Sequence, residues 1–193
     1  MTDDTTFSRL VSLACHDLRT PLATVYGFAR TITKADGLDP TLKSYSEMIE
    51  TASGQLAELL DELSLVARIE GGRYDPKRET VSTGELAASA AERLGAERVG
   101  FSGEGSEVDG DGEAVKRSVS ALIQCALRHG GLDRVEVVAD GSELRVTPIT
   151  PASAPVVLGE DLRDLGAAVA VRHVEWLGGS VSVDGETLTI RFG

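Results

Sequence analysis

The sequence predicts an α + α/β chain: a helical hairpin forming a dimeric four-helix bundle, followed by an α/β sandwich. Three observations predict it. Two long segments repeat apolar residues at alternating spacings of four and three, the pattern of helices packed side by side. Gly71-Gly72, with Pro76 just beyond, stops that pattern. After it come short strand-like runs that reverse at Asp-Gly pairs, alternating with helical stretches. The division falls at residue 75, giving a hairpin over 1–75 and a mixed domain over 76–193.

The first helix is expected from Thr5 to Lys34, with Phe7, Val11, Ala14, Leu18, Pro21, Val25, Phe28 and Ile32 along its seam. With Val11 at heptad position a and Ala14 at d, His16 falls at f, furthest from the seam. An imidazole there points into solvent from a rigid helix, where it can act as a nucleophile or proton carrier. Pro21 removes a backbone donor one turn later, and a bend is expected there. The turn 35–40 supplies Asp39 as a cap and Pro40 at the first helical position of the second helix. That helix repeats Leu42, Tyr45, Ile49, Ala52, Leu56, Leu59, Leu63 and Val66 without a break. A short connection makes the helices antiparallel. Two apolar seams on one hairpin call for a second copy across a two-fold axis.

In the second part Val81 closes a short strand, and Ser82 or Thr83 starts a helix through Leu94. Arg98 to Ser102 is a strand, and the glycine-rich, acidic stretch Gly103 to Gly112 is a loop. Glu113 to His129 is a helix with Val115, Val119, Leu122, Ile123 and Ala126 on one face. Arg134 to Ala139 pairs with Glu143 to Thr150 around Asp140-Gly141. Leu162 to Leu177 is a helix, and Ser180 to Val183 pairs with Thr187 to Phe192 around Asp184-Gly185. Helices should cover one face of a mixed sheet.

Composition bounds the function. With 31 acidic and 19 basic residues the formal net charge is -12, which argues against nucleic-acid or anionic-membrane partners. Aromatics at 4% make base or sugar stacking a poor fit. The N-terminus has neither the basic nor the apolar region of a signal peptide, and no run is long enough to span a membrane, so a cytoplasmic location is expected. Cys15 and Cys125 offer neither a disulfide framework nor metal spacing; Cys125 is expected as a small buried hydrophobe and Cys15 as a packed helix residue. His129 and His173 are expected to be structural. Asp109, Asp111 and Glu113 alternate like a calcium loop, but Ala114 and Ser120 stand where that loop needs glycine and glutamate.

The run His16-Asp17-Leu18-Arg19-Thr20-Pro21-Leu22 resembles the H-box of bacterial two-component sensor histidine kinases, which lies on the first helix of a HisKA-type dimerisation and phosphotransfer domain. The resemblance implies that His16 is the phosphoacceptor. It implies that Asp17 takes a proton from the imidazole, and that Arg19 neutralises the phosphoryl group, the alternative being that Arg19 pairs with an acidic residue. It further implies that response-regulator receiver domains dock near Leu13, Arg19, Thr20, Ala23 and Thr24. The second part resembles the GHKL-type ATP-binding domain of the same kinases in its order of elements. Val119 to His129 matches the helix of the N-box, and Asp164 to Gly179 matches the last glycine box.

The departures from that pattern are specific. Ala121 and Cys125 stand where asparagines would hold magnesium and phosphate, and neither a methyl group nor a thiol suits a hard cation. Val146 to Pro155 has neither the aspartate nor the glycines of the first glycine box, and its prolines cannot donate to phosphate. Asp164 places a carboxylate where a helix N-terminus would meet phosphate. The second part is therefore a degenerate histidine-kinase ATPase-like α/β sandwich, and neither ATP nor Mg is expected to bind. No metal site and no cofactor are expected. The chain most resembles dimeric histidine phosphotransferases of bacterial phosphorelays, which would carry phosphate on His16 between receiver domains. The alternatives are a divergent active kinase, or a response-regulator phosphatase or pseudokinase in which Thr20 orients a water.

Overall fold

The computed structural model describes residues 3–35 and 37–193. Asp36 of the expected turn, and Met1 and Thr2 of the N-terminal stretch, lie outside the described residues. Two compact units are present, Met1–Tyr74 and Asp75–Gly193.

The first unit is a pair of antiparallel helices, α1 (Asp3–Thr33) and α2 (Pro40–Glu70). α1 runs unbroken through Pro21. Local chemistry sets both ends of α2. Asp39 Oδ1 accepts from the backbone N–H of Thr41 at 2.9 Å, and Pro40 occupies the first position, where no donor is needed. At the other end Gly72 takes a positive φ of 62°, and the Arg73 N–H reaches back to the Arg68 carbonyl at 2.8 Å. This closing pattern satisfies carbonyls that would otherwise be orphaned, and it needs a residue without a Cβ.

The large apolar residues of the two heptads do not meet inside the hairpin. The face where α1 and α2 meet carries small residues: Ser8, Cys15 and Ala29 against Ser46, Ser53, Ser64 and Ala67, all buried. Small side chains let the backbones approach closely. The heptad residues stand on a second face and remain open, with Phe7 66% and Phe28 67% exposed, and Leu18, Val25, Ile49 and Leu56 about half exposed. In heptad terms α1 uses e and b toward α2 and leaves a and d free.

The second unit is a five-stranded mixed sheet with helices on one face. Its elements are β1 (Arg78–Ser82), α3 (Thr83–Leu94), β2 (Val99–Ser102), β3 (Glu107–Asp111) and α4 (Gly112–Gly130). They continue through β4 (Val135–Asp140), β5 (Glu143–Thr147), α5 (Ala154–Val157), α6 (Leu165–Trp176), β6 (Ser180–Asp184) and β7 (Thr187–Arg191). The sheet order is β2-β4-β5-β7-β6; β2 and β4 are parallel and the other neighbours antiparallel. Along β4 the residues Val135, Val137 and Ala139 turn inward, while Glu136, Val138 and Asp140 turn out, as period two requires. The inward set joins Leu122, Ile123 and Leu127 of α4 and Leu144, Leu188 and Ile190 of the sheet in one core. Each such side chain contributes roughly 1.5–3 kcal/mol by leaving water.

Three expectations are corrected. Gly103 to Gly112 is not all loop, because β3 forms within it and pairs antiparallel with β1 in a separate two-stranded sheet. Its composition hides an alternation in which Val108 and Gly110 are buried while Glu107 and Asp109 are exposed. The strand expected to run to Thr150 ends at Thr147, and Pro148 to Ser153 leads instead into the short helix α5. The last helix starts at Leu165 rather than Leu162, because Asp164 caps it through its Oδ1 and the Ala167 N–H at 3.0 Å.

Candidate functional site

His16 stands on α1 opposite the open apolar face, its side chain 77% exposed. Its neighbour Cys15 is buried against α2, so the backbone under His16 is held firmly while the imidazole is free. Asp17 Oδ1 lies 3.1 Å from His16 Nδ1. With the proton on Nδ1 and shared with Asp17, the lone pair on Nε2 faces solvent, the arrangement a nucleophilic imidazole needs.

Arg19 sits one turn on, but its guanidinium is engaged. Its Nη2 donates to Asp61 Oδ1 on α2 at 2.8 Å. Of the two expectations for Arg19, pairing with an acidic residue is the contact seen, and service to a phosphoryl group would compete with Asp61. Asp61 was missed because no motif contains it. Equal counting from the turn would not have found it, since it sets Arg19 level with Gly54, whereas the guanidinium reaches Asp61 two turns further along α2. Thr20 is exposed beyond His16, and its carbonyl accepts from Thr24 Oγ1 at 3.1 Å. Leu13, Ala23 and Thr24 are exposed as well. Next to this surface a groove of about 420 Å³ opens between the helices. Leu22, Ala23, Tyr26, Gly54 and Ala57 line its apolar part, and the Arg19–Asp61 pair lies at its polar side.

In the second unit, the positions singled out for nucleotide chemistry serve the protein's own packing. Cys125 is fully buried, and burial, followed by the nearby Asp164 charge, pushes its thiol up to about 12. Ile149, Val156 and Val157, within and just after the proline-rich stretch, belong to the core. Asp164 caps α6 with Oδ1, while its Oδ2 lies 3.2 Å from His129 Nε2 and 3.4 Å from Arg128 Nη1 on α4. The protein's own carboxylate thus occupies the N-terminus of α6. Cys125, His129 and Asp164 are brought together, a grouping the cysteine spacing did not reveal. His173 is buried in the core with Nδ1 2.9 Å from Ser118 Oγ, a structural role as expected. Burial depresses its pKa to about 4.

Residues 8–72 match the family described as "His Kinase A (phospho-acceptor) domain". The chain is 30% identical to the histidine protein kinase DivJ of Caulobacter vibrioides over 174 residues, which are 82% of this chain and 28% of DivJ. It is 27% identical to the sensor protein DivL of the same organism over 121 residues, 58% of this chain and 16% of DivL. The chain therefore spans less than a third of the length of these curated relatives. Among solved structures it shares the fold of full-length ShkA in complex with AMPPNP, with a TM-score of 0.67 at 18% identity, covering 95% of this chain and 45% of ShkA. A second fold match is the histidine kinase AdeS of Acinetobacter baumannii, with a TM-score of 0.55 at 17% identity, covering 92% of this chain and 97% of AdeS.

Proposed function

From the premise that residues 8–72 are a His Kinase A phospho-acceptor domain and that the chain belongs with the two-component histidine kinases, we propose that it is a histidine phosphotransferase working without ATP. His16 would accept a phosphoryl group from the aspartate of one receiver domain and pass it to another. In the first step Nε2 attacks phosphorus, the N–P bond forms, the P–O bond to the aspartate breaks, and that carboxylate leaves. The proton stays on Nδ1, held by Asp17. The second step is the reverse on a different receiver.

The observation that carries this reading is the pairing of an exposed, oriented His16 with Asp164. That carboxylate caps the Ala167 N–H and sets a negative charge at the α6 N-terminus, where it would repel a phosphate. Ala121 and Cys125 add two positions without oxygen ligands, so Mg and ATP are proposed not to bind. The open a/d faces of α1 and α2 support a homodimer, in which a second copy covers them as a four-helix bundle.

A second reading, an ATP-dependent kinase, is favoured by the Asp17 contact, which is the geometry of a general base, and by the likeness to DivJ over 82% of the chain. One pair of measurements separates the two. Mixed with a phosphorylated receiver domain, the protein should gain acid-labile label, and His16→Ala should not. With labelled ATP and magnesium it should gain no label, and its Tm should not move. Labelling from ATP would overturn the phosphotransferase reading in favour of the kinase.

A further inference from the structure

We propose that Cys125, His129 and Asp164 form a zinc site that ties α4 to the start of α6. The Cys125 sulfur, a His129 ring nitrogen and an Asp164 oxygen all lie within 4.8 Å of one another. Cys125 and His129 are four residues apart on α4, one turn of the same face, the spacing that lets two side chains share one ion. Asp164 comes from the residue that caps α6, so the set spans two helices already packed together.

The donor set selects the metal. One sulfur, one imidazole and a single carboxylate oxygen suit a borderline ion that accepts tetrahedral N, S and O ligands, with water in the fourth place. Magnesium and calcium want oxygen ligands in greater number. The charges also balance: thiolate and carboxylate together neutralise a divalent ion. Burial supports the site, since Cys125 is fully enclosed and the side chains of His129 and Asp164 are only 19% and 10% exposed.

Binding rearranges few bonds. The buried thiol gives up its proton to solvent. The His129 ring carries its proton on Nδ1 instead of Nε2, with any second proton released to solvent, and Nε2 gives its lone pair to the ion in place of the bond to Asp164 Oδ2. Asp164 Oδ1 keeps the Ala167 N–H, which orients the carboxylate as an outer-shell bond does. Arg128, whose side chain is 61% exposed, swings from Asp164 Oδ2 into water. The site does not depend on the phosphotransferase reading, because it lies wholly in the second unit.

Cobalt(II) is the probe. The full chain, reduced and stripped with chelator, is titrated with Co²⁺ and then with Zn²⁺. The expected result is one equivalent bound, with a thiolate-to-cobalt charge-transfer band and tetrahedral visible bands, which Zn²⁺ removes. Cys15→Ala, which leaves Cys125 as the sole cysteine, should keep both bands. Cys125→Ser should lose the charge-transfer band. His129→Ala and Asp164→Ala should weaken binding by at least about tenfold, the loss that even outer-shell changes cause. Because a Cys125 variant can fail to fold, X-ray absorption of the zinc-loaded Cys15→Ala protein gives a second measure: one sulfur at about 2.3 Å. Absence of that sulfur, or of the charge-transfer band in Cys15→Ala, overturns the proposal, as does a band undiminished in folded Cys125→Ser.

Discussion

His16 and Asp17 are sequence neighbours whose side chains share a contact, Nδ1 to Oδ1 at 3.1 Å, although both are largely exposed. A proton on Nδ1 would be shared with Asp17 in this contact, and in the proposed transfer that leaves Nε2 as the reacting atom. In that proposal Asp17 is a positioning residue that acts through orientation.

That role separates two variants. Asn in place of Asp17 still accepts from Nδ1–H, so Asp17→Asn should keep phosphoryl gain from a receiver within about tenfold of wild type, while Asp17→Ala should lose more. If Asp17→Asn costs the roughly 10²–10⁴-fold of a lost general base, the carboxylate charge takes the proton itself. Single-turnover transfer rates provide the measurement.

The Arg19–Asp61 pair joins α1 to α2, with both side chains 44% exposed. Solvent screens such a pair, so a double-mutant cycle with Arg19→Ala and Asp61→Ala should give a coupling of about 0.2–1 kcal/mol, falling as salt rises. Urea unfolding at two ionic strengths reads it. Asp61→Ala frees the guanidinium and should speed phosphoryl gain if Arg19 serves the phosphoryl group.

The open face of the hairpin makes the proposed dimer sensitive to charge. Phe28→Asp and Leu56→Asp each remove an apolar side chain from that face, and the two-fold axis counts each change twice. At roughly 1.5–3 kcal/mol per side chain, dimer affinity should fall by roughly 10²–10⁴-fold. Sedimentation equilibrium at micromolar concentration should show monomer for either variant and dimer for Ala23→Ser, which changes the other face.

His173 makes stability depend on pH. Its folded pKa, lowered by burial to about 4, is below the unfolded value, so the unfolded chain binds the extra proton between the two. Its full contribution is present above about pH 6.5 and is lost as pH falls toward 4. His173→Gln cannot titrate and keeps a hydrogen-bonding group for Ser118. Unfolding free energies from urea titrations should converge for the two proteins toward low pH relative to neutral pH, by an amount on the order of 2–3 kcal/mol. Parallel profiles would show that His173 is not the titrating group.

Legibility in the sequence followed the range of the interactions. The ends of α2 were readable because Asp39, Pro40, Gly71 and Gly72 act on backbone groups within a few residues. The hairpins β4–β5 and β6–β7 were readable because Asp-Gly turns favour positive φ, as Gly141 and Gly185 adopt. β3 was not, because its pairing with β1 lies across a helix in sequence and its acidic, glycine-containing composition carries no hydrophobic signal. The heptads correctly marked an apolar face, yet concealed the face where α1 and α2 meet, since serine, cysteine and alanine leave no mark in a hydropathy pattern.

By itself the sequence determined the two kinds of fold, the helical display of His16 at an f position beside Asp17, and side chains without oxygen at Ala121 and Cys125. Those are properties of periodicity and residue type, carried within single elements. Only the tertiary structure decided that Arg19 meets Asp61, that small residues line the hairpin while Phe28 and Leu56 stay open, and that Asp164 caps α6 beside His129 and Cys125. Each of these joins residues from different elements, and their distances are set by how helices pack rather than by any spacing along the chain.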